Sequence, residues 1–371
     1  MSDFFDFNQF LGIIPGTLSK QQNNNFQKLI NDAKRKAKQD MPVSSCLLCG
    51  CPQHNCNSHS IPQRCLKYIA VEGHLNYSAS FIDIPNDALK EEKGINETGT
   101  FRLICRNCDS SFFQPYETFE KWENTIPEKY LHEIAVKNYL KHYEKKYVES
   151  KFPTYFLNSL NNPLASYFIN MIGGDNSKND ELESEIVKNK FVECKSLESS
   201  NTTDYYEILF YKKLDYTVSY AFQYSINMIT DFNGTLINNL LTPQEDVKLE
   251  DIHICVFPYS QNNSIILAFF KKGYNYTQLK KDFELLNEDD KLAVINYIIF
   301  KYSEDFFISP LLRDRMENEA SFKSVVTSSL MNSQPLYDPI KAQISEFDLN
   351  KYKVFPNLLL KEYSMEQLQM P

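Results

Sequence analysis

Four of the nine cysteines in this 371-residue chain fall into two pairs of identical spacing, Cys46-Leu47-Leu48-Cys49 and Cys105-Arg106-Asn107-Cys108. A C-x2-C pair makes a tight knuckle whose sulfurs point to one side, and two such pairs suit one tetrahedral metal ion. The spacing predicts a structural zinc held by Cys46, Cys49, Cys105 and Cys108. Cys51, His54 and Cys56 lie close enough in sequence to compete as ligands. Cys65, Cys194 and Cys255 have no neighbour at ligand spacing and read as core thiols. Between the pairs, Ser58-His59-Ser60-Ile61-Pro62 offers a lone imidazole. An imidazole that titrates near neutrality can take a proton from water and create an attacking hydroxide. Asp109 and Glu117 are the nearest carboxylates. Their spacing is about two helical turns, so one helix face could turn both towards a divalent cation such as Mg²⁺. Each residue also has a plainer role: the carboxylates as helix-start partners, and His59 as a fold residue or zinc ligand.

Periodicity outlines the elements that must position these groups. Residues 21–40 read as a helix with Phe26, Leu29, Ile30, Ala33 and Ala37 on one face. Lys34, Arg35, Lys36 and Lys38 lie on the other, as a solvated face or a phosphate-contacting arm. Arg64 is a further candidate for nucleic-acid contact. The cysteine module reads as a knuckle, the His59 turn, a short helix at 63–69 and a strand at 71–77. A loose polar segment, a strand at 100–104, the second knuckle and a helix opening near Asp109 follow. This is the element order of a treble-clef zinc fold, with thiolates at a helix N-terminus that favours negative charge. A long helix over 127–150 buttresses it.

Residues 173–190 look like a linker or surface loop. Beyond them the pattern turns to strands at 205–211, 217–224, 252–258 and 264–270, the last two forming a hairpin. Helices follow near 276–286 and 289–302. The expected class is α+β. A zinc module spans 1–150, a connecting segment 151–190, and an antiparallel sheet with helices 191–371.

Composition narrows the function classes. The net charge is −9, yet residues 1–150 carry equal numbers of basic and acidic side chains, so the acidic excess lies entirely in 151–371. A locally basic surface on the first part is therefore compatible with a nucleic-acid partner. The acidic start, Met1-Ser2-Asp3, does not resemble a secretory signal, and no run of 18 apolar residues occurs. Cysteine-rich composition without an export signal predicts a reducing, cytoplasmic setting with metal-bound thiols and no membrane association. No phosphate loop, Rossmann glycine pattern or triad-like cluster marks the second half.

The stretch from about 44 to 120 resembles the HNH endonuclease family, whose ββα-metal core is often braced by paired C-x2-C knuckles. His59, followed by Ile61-Pro62, matches the family's motif histidine. The next motif positions hold Thr100, where the family has asparagine, and Asp109. The run through Leu66-Lys67-Tyr68-Ile69-Ala70, Gly73-His74-Leu75, Gly94-Ile95-Asn96, Thr100-Phe101 and Phe113 to Pro115-Tyr116-Glu117 is also similar to a group of bacterial proteins. Those carry an N-terminal HNH-like module and a long α+β tail, and some occur in phage-defence contexts. The resemblance implies a metal-dependent nuclease acting on DNA rather than RNA, with His59 as general base and Asp109 and Glu117 towards the catalytic metal. It also implies pairing of two copies, or a protein partner on the C-terminal part. The alternative is a non-catalytic zinc module that recognises nucleic acid or a protein, which the threonine at position 100 favours.

Overall fold

The computed structural model describes residues 20–52, 56–78, 89–160, 181–197, 204–238, 249–303, 305–330 and 349–370. His54 lies outside them. Helix α1 (Lys20–Gln39) presents Ile30, Ala33 and Ala37 as its buried face. The module follows as β1 (Ser58–His59), α2 (Gln63–Ile69), β2 (His74–Ser78), β3 (Leu89–Gly94) and β4 (Thr100–Phe101), then α3 (Arg106–Phe112) and α4 (Gln114–Glu117). Helix α5 (Glu128–Leu160) is 33 residues long and runs on through Pro153. A helix over 181–197, α6, stands where the sequence suggested the end of a polar linker. Strands β5 (Tyr206–Leu214), β6 (Tyr220–Ile226), β7 (Ile252–Ser260) and β8 (Asn263–Lys271) come next. Then follow α7 (Thr277–Glu284), α8 (Glu288–Tyr302), β9 (Phe306–Ile308), α9 (Arg313–Glu317) and α10 (Ala320–Leu330).

The fold is α+β, with an antiparallel sheet of order β3-β2-β9-β6-β7-β8-β5 and a separate β1–β4 ribbon. The expected division at 150–191 does not break this sheet. The module's β2–β3 hairpin joins it through β9, where Asn76 pairs with Ile308 and Tyr77 with Phe307. Strand alternation then assigns two faces. Phe222, Ile254, Ile266 and Phe270 pack with Tyr297, Ile298 and Phe300 of α8 on one side. Ala221, Cys255, Phe257, Leu267 and Phe269 pack on the other with Ile134, Val136 and Leu140 of α5, and with Leu66, Phe101 and Tyr116 of the module. Helix α5 therefore lies between sheet and module. That explains why residues 131–140 are buried on every side instead of along one stripe.

Burial of so much of α5 traps ionisable groups. His253 on β7 sits 3.2 Å from the side-chain amide of Asn138, and His142 Nδ1 lies 3.0 Å from Ser225 Oγ. Burial pushes His253 down to about 4 and holds His132 and His142 below the ordinary histidine range. The folded chain thus binds fewer protons than the unfolded one between about pH 4 and 6.5, so its stability rises with pH across that window. Stability should be complete above pH 6.5 and fall steadily below it. His253 alone accounts for ~2 kcal/mol by pH 5. Urea unfolding at pH 7.5 and pH 5 checks this, and equal midpoints would contradict it.

Candidate functional site

The first knuckle closes on itself. Cys46 N–H donates to the Cys51 carbonyl at 2.9 Å, and Gly50 N–H donates to the Cys46 carbonyl at 2.8 Å. Gly50 holds φ +73°, a left-handed turn that a residue with Cβ adopts only at a cost. Leu47 N–H reaches the Leu103 carbonyl at 3.0 Å, which ties the knuckle to the chain entering α3. Cys105 is the N-cap of that helix. Its sulfur accepts from Cys108 N–H at 3.5 Å, while its own N–H donates to Cys46 Sγ at 3.3 Å. Backbone donors and a helix N-terminus therefore converge on the sulfurs, as thiolates require.

The sulfurs of Cys46, Cys49, Cys51 and Cys105 all lie within 4.8 Å of one another, and this group could hold a metal ion. Cys49 and Cys105 are 3.8 Å apart. A tetrahedron of ~2.3 Å zinc–sulfur bonds has edges of about 3.8 Å, so the donor set fits zinc in chemistry and size. Burial pushes the Cys46 thiol up, but the N–H groups of Cys49, Cys105 and Leu48 outweigh it and leave it lowered. The N–H of Cys51 lowers Cys49, and that of Cys108 lowers Cys105. Burial, with the neighbouring Cys49, Cys105 and Cys46 thiols, raises Cys108. Spacing alone chose Cys108 as the fourth ligand. The folded knuckle turns Cys51 into the mutually close set and leaves Cys108 beside it, so five thiols surround four positions. Cys56 is raised by burial and stands outside that set.

His59 lies on β1, directly opposite Thr100 on β4, with Ser58 opposite Phe101. The ribbon is anchored where Ser60 N–H donates to the Gly99 carbonyl at 2.8 Å. Gly99 has φ +62°, and a Cβ there would come within 2.8 Å of the Phe307 ring. Only glycine lets this ribbon lie so close to β9. His59 Nε2 is 2.9 Å from the Ile95 carbonyl, which can only accept, so Nε2 carries the proton and Nδ1 keeps its lone pair. Burial lowers the His59 pKa further than the Ile95 carbonyl restores it. Lys137 on α5 lowers it too, and Asp109 and Glu117 act in the opposite sense.

The two carboxylates do not share one helix. The chain turns at Phe113 between α3 and α4, because Pro115 has no N–H to continue the ladder and its ring crowds the preceding turn. Ser58 Oγ donates to Asp109 Oδ1. Glu117 Oε1 is paired with Lys137 Nζ at 2.6 Å, and that ammonium also lies 4.6 Å from the Phe113 ring centre. Asp109, His59 and Glu117 are thus brought into one neighbourhood. Among the described residues, however, the cysteine cluster is the only group of three or more Cys, His or acidic side chains at metal-ligating distance. Lys137 lies outside the motif, and its signal in the sequence is the four-residue spacing with Lys141 and Lys145 on α5.

The expected phosphate contacts are partly spoken for. Lys38 Nζ pairs with the buried Glu144 at 2.9 Å, and Arg35 pairs with Asp32 at 3.0 Å. Arg64 forks onto Glu120, donates to the Tyr259 carbonyl at 3.2 Å and lies over the Phe119 ring. Lys36 is exposed on α1, and Lys34 is half-buried beside it. No helix among the described residues is long and apolar enough to cross a membrane. No family model, curated protein or solved structure matches the chain.

Proposed function

We propose that the chain is a metal-dependent phosphodiester hydrolase of the HNH type acting on nucleic acid, DNA before RNA. The observation that carries this reading is the state of His59. It is neutral, with Nε2–H committed to the Ile95 carbonyl and Nδ1 left as a base, while the adjacent Ser58 bonds Asp109. In this reading Nδ1 takes a proton from water, and the resulting hydroxide attacks the phosphorus. Ser58 orients Asp109 through Oδ1 and leaves Oδ2 as the oxygen available to a cation. One or two carboxylates plus substrate phosphate oxygens are the usual holding set for Mg²⁺, so Asp109 suffices as the protein's share. Such a cation would neutralise charge on the phosphate and its leaving oxygen. Glu117, neutralised by Lys137, acts on the field around His59 instead of ligating. A structural zinc on Cys46, Cys49 and Cys105, completed by Cys51 or Cys108, holds the ribbon and α3 in register.

The pairing of Glu117 with Lys137 also favours a second reading, a zinc module that binds nucleic acid or a protein without cutting. Cleavage of supercoiled plasmid with Mg²⁺ across pH 5–8 separates the two, with the fold checked by circular dichroism at each pH. A neutral base is needed, so the rate should climb with pH along a limb centred below the usual histidine value of about 6.5. No cleavage supports the second reading, and a limb centred above pH 7 would remove His59 from the base role.

A further inference from the structure

Three lysines stand one turn apart along α5: Lys137, Lys141 and Lys145. The outer two have carboxylate partners, Glu117 at 2.6 Å and Asp305 at 2.8 Å. Among the described residues no carboxylate lies at ion-pair distance from Lys141, nor from Lys93 on β3. Lys93 is two residues from Ile95, whose carbonyl holds His59, and its ammonium lies 6.0 Å from the Tyr77 ring centre. Glu144, one turn beyond Lys141, receives Lys38 at 2.9 Å and Arg102 N–H at 2.8 Å. That contact draws the basic end of α1 against the same stretch of α5.

The cations at this junction oppose one another. Burial lowers Lys93, with Lys141, Lys38 and Lys34 adding repulsion and Glu97 relieving it. Burial lowers Lys141 as well, with Lys38 and Lys145 adding repulsion, while Asp305 and Glu144 offset it. Lys93 and Lys141 are partly exposed residues with no carboxylate at ion-pair distance among the described residues, and with further lysines nearby their charges are stabilised by an incoming anion. On α5 the row runs from Lys137, whose charge acts on His59, to Lys141 and then Glu144, where Lys38 of α1 pairs.

We propose that Lys93 and Lys141 form a phosphate rail that seats the phosphodiester backbone of a nucleic acid next to His59. The proposal rests on the hydrolase reading above and names the surface on which its substrate lies. Lys36 and Arg64 fall outside the rail.

The test uses the full-length zinc-loaded protein and short fluorescent DNA and RNA duplexes, titrated by anisotropy at several salt concentrations. The Lys93→Gln/Lys141→Gln double variant should bind about tenfold or more weakly, with a log–log salt slope smaller by about 2. Whichever duplex shows the larger loss identifies the backbone that is seated. A Lys281→Gln/Lys353→Gln control should bind as the parent does. The Lys93→Arg/Lys141→Arg variant keeps the charges and should keep the binding, which guards against a loss caused by misfolding. Loss of binding in that Arg variant would overturn the rail. So would parental affinity and slope in the Gln variant; if plasmid cleavage persisted there, the hydrolase reading would stand and the rail alone would fall. A parent protein that binds neither duplex would overturn both.

Discussion

Replacing Cys105 with serine is expected to remove the bound metal and lower the melting temperature by roughly 10 °C, at about 2 °C per kcal/mol for a large chain. Cys105 plays three parts, two through its side chain and one through its backbone. It caps α3 by accepting from Cys108 N–H, its sulfur stands 3.8 Å from that of Cys49, and its backbone donates to Cys46 Sγ. Metal-binding free energy at such a site is folding free energy, because the unfolded chain has no preformed cluster. Cys46→Ser should behave alike. Cys51→Ser and Cys108→Ser should differ from each other, since four positions are shared among five thiols and one of the pair is spare. Elemental analysis of each purified variant reads this out. One zinc per chain in the parent and in a single member of that pair is the expected pattern. A soluble, folded parent without zinc would contradict the assignment.

Much of this arrangement was legible in the sequence because it rests on local rules. The knuckles announce themselves by spacing, and the helix over Gln63–Ile69 lies where the apolar pattern puts it. The β7–β8 hairpin follows from alternation bounded by the Gln261-Asn262-Asn263 turn. What escaped notice depends on neighbours distant in sequence. Strand β3, Leu89-Lys90-Glu91-Glu92-Lys93-Gly94, reads as a polar loop because it is the charged edge of the sheet, and charge is how edges avoid further pairing. Strand β9 has only three residues, yet it fastens the module to the rest of the sheet. Cys51, marked in the sequence as a competing ligand, joins the thiol cluster through the fold of its turn, which spacing alone does not specify. The expected shared helix face for Asp109 and Glu117 failed at Pro115, a breaker visible in the sequence but outweighed by the motif. Lys34–Lys38 reads in sequence as a solvated face or a phosphate-contacting arm; packing against α5 gives Lys38 its partner Glu144, while Arg35 pairs locally with Asp32 on its own helix.

The largest effect on function is expected from His59→Ala. A positioned general base typically contributes about 10²–10⁴-fold in rate. The His59 side chain makes one hydrogen bond, to the Ile95 carbonyl, whose loss should cost the fold about 1 kcal/mol, with a further packing cost from the partly buried ring. The sulfurs of the cluster are untouched, and zinc content should stay at the parental level. Asp109→Ala should be similarly inactive if its free oxygen holds the cation, and excess Mn²⁺ should restore part of the rate. Thr100, opposite His59, is a useful contrast. It cannot orient the ring as a longer amide would, and here the Ile95 carbonyl does so, so Thr100→Ala should retain most of the activity.

The most direct test of the account is plasmid cleavage by parent and His59→Ala proteins of equal zinc content and melting temperature, assayed side by side with Mg²⁺ or Mn²⁺. The parent should cut in a metal-dependent way, and the variant should lose at least about 100-fold in rate. Equal cutting by the two proteins, or none by the parent with either metal, would contradict it.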